Sequence, residues 1–334
     1  MKLRPITLRM LRAYGPGCDG SVVDPKNEKI PGGATWIDLE EPTKAEEALV
    51  ERCVHLNVPT QTEMAEIEPS SRLYEQDGAL YMTVSVLCGV VDGQPATMPV
   101  VFVLADNRLV TIRYGTPKPL RAFSEHVRRE PELARDAPTA LVRLVDAIID
   151  RLADELELLS HEIELISSHI FHRDMDERRI PAARLTALLT RIGRAQTLLT
   201  KIRYSGVSMI RMLSFLAGAS RFHEKAGRET ANHLASLSTD ATSLSEHASF
   251  LSDNLTFLLD ASLGLISIEQ NAAMKLFSWA AVMFLPPTLI AGIFGMNFRY
   301  MPELGWHYGY PISLALIVAS GILPFLYFKR RGWI

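Results

Sequence analysis

The chain has 334 residues, of which 48% are hydrophobic and 22% are charged, and its formal net charge is −3. This length suits about two domains, and the near-neutral charge excludes a strongly basic nucleic-acid-binding protein or an acidic disordered tail. Three cysteines, Cys18, Cys53 and Cys88, lie far apart without CxxC spacing, which argues against a disulfide framework or a zinc knuckle.

Residues 1–135 carry short apolar runs separated by Gly, Pro, Asn and Asp, which predicts a mixed α/β domain. The runs at residues 100–104 and 109–113 are split by Asp106 and Asn107 and predict a hairpin. Residues 42–56 have helical character, and Thr43 suits an N-cap three residues before Glu46. No phosphate-binding loop, dinucleotide fingerprint or nucleophile elbow occurs there, so this domain gives no indication of catalysis.

From Thr139 onward the apolar residues recur with helical spacing, which predicts two long antiparallel helices joined by a polar turn at residues 171–179. His161 and Glu164 lie within a polar cluster that invites a metal assignment. No paired Glu-x-x-His pattern repeats on a partner helix, so we interpret this cluster as a solvated helix face. A third helix begins after Gly227 and is expected to run without a break into the C-terminal segment.

Two charge-free segments, residues 276–296 and 310–328, lie near the C-terminus. As helices they would be about 32 and 29 Å long, close to the hydrocarbon thickness of a bilayer. Neither has a polar face, which disfavours buried helices of a soluble protein. Lys275 precedes the first span and Lys329 follows the second, so the positive-inside rule places both termini in the cytoplasm.

A distinctive motif lies where the first span meets the outer loop. Gly295-Met296-Asn297 is followed closely by Met301-Pro302-Glu303-Leu304, and this pattern resembles the CorA family of divalent-cation channels. Residues 284–292, 308–311 and 327–333 extend the resemblance, and the close match covers a C-terminal stretch of about 60 residues. The preceding 270 residues fit the family only in layout.

The resemblance implies a homopentamer in the inner membrane that moves Mg²⁺, with Co²⁺ and Ni²⁺ as further cargo, and that is not an enzyme. It implies a cytosolic α/β domain at residues 1–135, a long-helix and stalk region at 136–272, and a two-span pore domain at 273–334. The stalk helix would be continuous with the first span. The selectivity filter would be Gly295, Met296 and Asn297, with Glu303 in the outer loop, and the pore-lining positions would be Asn271, Met274, Phe277, Leu285, Thr288 and Gly292.

Family members are gated by divalent cations between cytosolic domains of adjacent subunits. Asp260 matches one such family carboxylate, which implies a regulatory Mg²⁺ site, although a plain solvated stalk residue is an equal alternative. Leu285 stands where some members carry Met, and Phe277 where some carry Leu, so the pore constriction is expected to be apolar in either case.

The chemistry of the cargo agrees with this motif. Mg²⁺ gives up its water reluctantly, so a selective pore does better to hold the hydrated ion. A ring of Asn297 amide oxygens would accept hydrogen bonds from those waters without a net charge that traps the ion. The alternative to this ion-binding role is a purely structural one, in which Asn297 serves as the C-cap of the helix.

Two functions other than a magnesium channel fit the sequence less well. A zinc transporter of the related ZntB type is disfavoured because those members usually depart from Met at the middle of the tripeptide and lack the loop motif containing Glu303. A membrane-anchored scaffold or sensor would not require Thr288, Gly292 and Asn297 at this spacing.

Overall fold

The structure is a computed structural model that describes residues 10–27, 29–64, 68, 72–171, 182–296, 301 and 305–331. The chain divides into two compact units. The first unit comprises Met1–Arg173 and Ala187–Leu259, and the second comprises Asp174–Thr186 and Asp260–Ile334.

Within the described residues of the first unit, seven strands form one sheet in the order β2-β1-β3-β7-β6-β5-β4. The strands are β1 (Met10–Gly15), β2 (Cys18–Val22), β3 (Trp36–Glu40), β4 (Leu73–Gln76), β5 (Ala79–Cys88), β6 (Ala96–Ala105) and β7 (Arg108–Arg113). Strands β6 and β7 form the predicted hairpin, with Leu104 opposite Leu109 and Asp106 at a positive φ of 48° in the turn. Neighbouring strands are antiparallel except β3 and β7, whose parallel pairing joins the two halves of the sheet.

Helices cover both faces of the sheet. Helix α1 (Lys44–Val54) begins at Thr43, which forms the predicted capping box with Glu46, and packs Leu49 and Val50 into the core with Val101 and Val103. Helix α2 is the short turn Gln61–Met64. On the opposite face α3 (Lys118–Arg129) places Phe123 against Trp36, with 5.2 Å between ring centroids. Short 3₁₀ turns occupy Pro25–Asn27 and Pro131–Ala134.

A buried ion pair bridges β3 and β7. Arg113 donates from Nη2 to Asp38 at 2.8 Å and to Glu40 at 2.9 Å, and Thr111 donates to Asp38 at 2.7 Å. The Arg113 and Asp38 side chains are only 4% and 2% exposed. Burial opposes the charge of Arg113, but the two carboxylates outweigh it and raise the pKa of the guanidinium. These contacts lie at the junction between the two halves of the sheet.

After α3, the described residues form helices α4 (Ala137–Phe171), α5 (Ala182–Gly218), α6 (Ser220–Lys225) and α7 (Arg228–Phe294). Helices α4 and α5 are antiparallel, because Arg191 of α5 donates to Glu162 of α4 at 2.8 Å while Ile202 and Leu152 line one small cavity. The long pair and the uninterrupted third helix are therefore confirmed as predicted. The predicted turn at residues 171–179 lies, beyond Phe171, outside the described residues.

The second unit contains the C-terminal part of α7 and helix α8 (Gly309–Arg330). Helix α7 is 67 residues long, or about 100 Å at 1.5 Å per residue, and continues through Pro286 and Pro287. The fold class is therefore that expected: an α/β domain, long helices and two C-terminal apolar helices.

Candidate functional site: the apolar seam of α7

Helices α7 and α8 each contain a segment that is long and apolar enough to cross a bilayer. The most apolar 18-residue windows have mean hydropathies of 1.8 and 2.0. None of the window in α7 and only 6% of the window in α8 is buried within the chain. Core helices of soluble proteins are mostly buried, so these helices present an apolar surface that requires an apolar environment.

The predicted pore-lining positions form one exposed stripe along α7. We name this stripe the α7 seam; its described members are Asn271, Met274, Phe277, Leu285, Thr288 and Gly292. Met274, Phe277 and Leu285 are 66%, 78% and 65% exposed. Their spacing of three, four or eight residues keeps them on one helix face, as expected from sequence.

Helix α8 packs on the face of α7 opposite to this seam. A Cβ added to Gly321 of α8 would lie 3.5 Å from Cγ of Pro287 and 3.7 Å from the carbonyl oxygen of Met283. At about 100° per residue, Met283 and Pro287 point roughly 160° from Leu285 on the helix circumference. The α7 seam therefore faces away from the second span of its own chain.

The two prolines change the hydrogen bonding at the level of the seam. Neither Pro286 nor Pro287 has an N–H, so the carbonyls of Val282 and Met283 lose their usual helical donors. At the next residue, the Thr288 hydroxyl donates to the Phe284 carbonyl at 2.6 Å. With its proton so used, Oγ1 of Thr288 is left as an acceptor, which suits the water protons around a hydrated cation.

The seam leads to the end of α7. Gly295 donates its N–H to the Ala291 carbonyl at 2.9 Å, and Met296 donates to Ile293 at 3.3 Å, so the last turn tightens here. A Cβ on Gly295 would lie 3.0 Å from the Ala291 oxygen, which disfavours a side chain at this point. Asn297 and Glu303, the other predicted filter and loop residues, lie outside the described residues.

Asp260 lies on α7, well before the seam, and is exposed. Among the described residues, His161 and Glu164 are 3.9 Å apart and more than 70% exposed, and no group of three or more metal-ligating side chains converges anywhere in the described ranges.

Gly321, where α8 approaches α7 closely, is a site residue that the sequence did not predict. Its available signal was the run of small residues Ala319-Ser320-Gly321 within the second apolar span, a feature common where membrane helices pack closely.

These features define a class: a membrane protein with a large N-terminal α/β and helical region and two C-terminal spans. A family model described as "CorA-like Mg2+ transporter protein" matches residues 31–330. The chain belongs to this family.

Individual relatives cover almost the whole chain. The magnesium transport protein CorA of Haemophilus ducreyi is 33% identical over 301 residues, which span 90% of this chain and 92% of the relative. The protein of the same name from Escherichia coli K12 is 32% identical over 304 residues, spanning the same 90% and 92%. The solved structure of the CorA magnesium transporter from Methanocaldococcus jannaschii is similar over 99% of this chain and 100% of that chain, with a TM-score of 0.76 at 20% identity. That likeness supports the fold.

Proposed function

We propose that five copies of this chain assemble around their α7 seams and form a channel that passes hydrated Mg²⁺ across the inner membrane. The observation that carries the proposal is the position of the seam, which is exposed and faces away from α8. Other copies would cover such a surface by closed rotational symmetry, which places the seam on a central axis. Both termini would be cytoplasmic, and no catalytic role is assigned to the chain.

The chemistry of the seam suits a hydrated divalent cation. Met274, Phe277 and Leu285 would make a narrow apolar passage, and Thr288 would add a ring of hydroxyl acceptors. Gly295 and Met296 lead directly into Asn297, whose amide oxygen would accept hydrogen bonds from the ion's water shell. Glu303 in the outer loop would attract cations before they enter. Co²⁺ and Ni²⁺ are further cargo in this proposal.

Ion flux into liposomes that contain the purified full-length protein tests the channel. We expect Mg²⁺ uptake by the wild type and at least tenfold less by Asn297→Ala, because the amide acceptors of the filter are lost. Asn232→Ala, at an exposed position on α7, is the matched control and should keep wild-type flux. Equal flux in Asn297→Ala would refute the filter, and absence of flux in the wild type would favour the anchored scaffold.

Parallel flux with Zn²⁺ separates this proposal from a ZntB-type transporter. Uptake of Zn²⁺ in preference to Mg²⁺ would favour that alternative. The relatives above are named as magnesium transport proteins, which supports Mg²⁺.

We further propose that Asp260 senses internal Mg²⁺ at a subunit interface. Asp260→Ala should then weaken the inhibition of flux by Mg²⁺ on the cytoplasmic side, whereas Asp92→Ala, at an exposed position in the first unit, should not. Unchanged inhibition in Asp260→Ala would leave this residue as a solvated carboxylate.

A further inference from the structure

An edge of the sheet in the first unit is covered by a helix. Within the described residues, β4 pairs with β5 only as far as Leu73 opposite Met82, so β5 continues beyond its neighbour. Helix α5 lies over this edge, because the backbone N–H of Ser85 donates to the Ser208 hydroxyl at 3.0 Å. The contact satisfies a strand-edge donor that would otherwise be unpaired.

A cavity of about 400 Å³ lies between this edge and α5, and three arginines line it. We name it the arginine pocket; it is lined by Arg72, Arg203, Arg211, Thr83, Tyr204 and Ser208 among others. Positions 203, 204, 207, 208 and 211 recur with the spacing of one helix face, so α5 presents its groups to the cavity together. Across the cavity Arg72 donates from Nη1 to the Ser85 hydroxyl at 3.3 Å.

The arginine pocket concentrates positive charge. None of its described lining residues carries a carboxylate. Arg203 and Arg211 are exposed on the pocket face of α5, and an anion placed between them would interact favourably with both positive charges.

The pKa of Tyr204 is affected by the same positive charges. Its side-chain hydrogen bond with Ser85 and the positive charges of Arg72 and Arg211 lower the pKa of the phenol, against the opposing effect of burial. A negative charge is therefore favoured at this point of the pocket.

We propose that the arginine pocket binds a phosphoryl group carried by a soluble phosphate ester with an apolar or aromatic body. Guanidinium groups match phosphate oxygens in two parallel hydrogen bonds, and hydroxyls such as Ser208 add neutral partners. The volume exceeds that of phosphate alone and lies in the range of small-molecule sites, about 300–1,000 Å³. Tyr204 and Val207, which are 46% and 42% exposed, supply a surface for the rest of the ligand.

Equilibrium dialysis with the full-length protein in nanodiscs of phosphatidylcholine tests the pocket. The probes are ADP, inorganic phosphate and adenosine in buffer without divalent cations, so that binding is read independently of ion flux. We expect ADP to bind more tightly than phosphate, and adenosine not to bind. The double variant Arg203→Gln/Arg211→Gln should lose at least about tenfold in ADP affinity, because two charge-assisted contacts are removed.

Arg194→Gln is the matched control, since Arg194 is exposed on α5 nine residues before Arg203 and therefore on the opposite helix face. It should bind ADP as the wild type does. Arg211→Lys keeps the charge without the planar fork and should show an intermediate loss. No ADP binding by the wild type, or equal binding by the double variant, would overturn the proposal. Loss of ADP binding when phosphatidic acid is included in the nanodisc would overturn the soluble ester and assign the pocket to a lipid headgroup.

Discussion

Asp38 is the buried charge whose removal we expect to cost most in stability. Asp38→Asn would leave the buried Arg113 guanidinium beside a neutral amide with Glu40 as its remaining carboxylate, so the cost should approach but not exceed the about 3–5 kcal/mol of a fully unpaired buried charge. Glu40→Gln is the matched control and should cost less, because the Glu40 side chain is 14% exposed and Asp38 remains in place. Chemical unfolding of the full-length protein, followed by tryptophan fluorescence, measures both. Equal losses in the two variants would contradict this ranking.

Asp150 on α4 makes stability depend on pH. Burial raises the pKa of Asp150, and the charges of Asp146, Asp154 and Asp240 raise it further, while His233 lowers it. The folded state thus binds more protons than the unfolded state between the two pKa values, so stability falls as pH rises through that window and stays lower above it.

Asp150→Asn should therefore raise the melting temperature at pH 7 more than at pH 4. The corresponding gain in the free energy of unfolding should stay within about 1 kcal/mol, because solvent screens the charge of this partly exposed group. Asp92→Asn, in the connection between β5 and β6, is the control and should show no such pH difference. A larger rise in melting temperature at pH 4 than at pH 7 would contradict the raised pKa of Asp150.

At the scale of elements, the packing of α8 on α7 depends on Gly321. An added Cβ would meet Pro287 at ordinary van der Waals distance, so Gly321→Ala should be tolerated. Gly321→Leu would drive a branched side chain into the Pro287 ring and should destabilise the helix pair by about 1–3 kcal/mol. Thermal unfolding of the protein in detergent, compared between the two variants, measures this. Equal melting temperatures for the alanine and leucine variants would show that the helices do not approach closely.

Elements governed by local rules were predicted well. Thr43 and Glu46 define a helix start by themselves, and the turn after Ala105 defines the β6–β7 hairpin. Strand β2 was not predicted because it is largely exposed and lacks an alternating apolar pattern. Its pairing with β1, and that of β1 with β3, depends on tertiary contacts that a local pattern does not contain.

The candidate site likewise contains features that the sequence predicts and features that depend on tertiary packing. The α7 seam was predicted from the family resemblance, and helical spacing puts its members on one face of the helix. The rotation of α8 does not follow, because a helix that is apolar all round has no preferred face in its sequence. The close contact at Gly321 is therefore visible only in the structure of the packed helices. Asn297, Glu303 and Asp260 remain predictions about function.

At the scale of the whole molecule, the exposed surface of α7 favours assembly. Phe250 is 60% exposed in the part of α7 that belongs to the first unit, and Phe277 is 78% exposed in the seam. Apolar surface of this extent marks contact with another molecule. We expect native mass spectrometry in detergent to give a mass near five times the 37.2 kDa of one chain. A monomer or a dimer would contradict the proposed pore axis.

The parallel pairing of β3 with β7 has a consequence for how the chain is made. Glu40 and Arg113, which bond across this junction, are separated by 73 positions. A ribosome adding 5–20 residues per second needs about 4–15 s to supply that length. During that interval β1 to β3 carry core residues such as Ile37 and Leu39 with no partner strand on one side. The sheet therefore cannot be completed on this side of β3 until β7 has been synthesised.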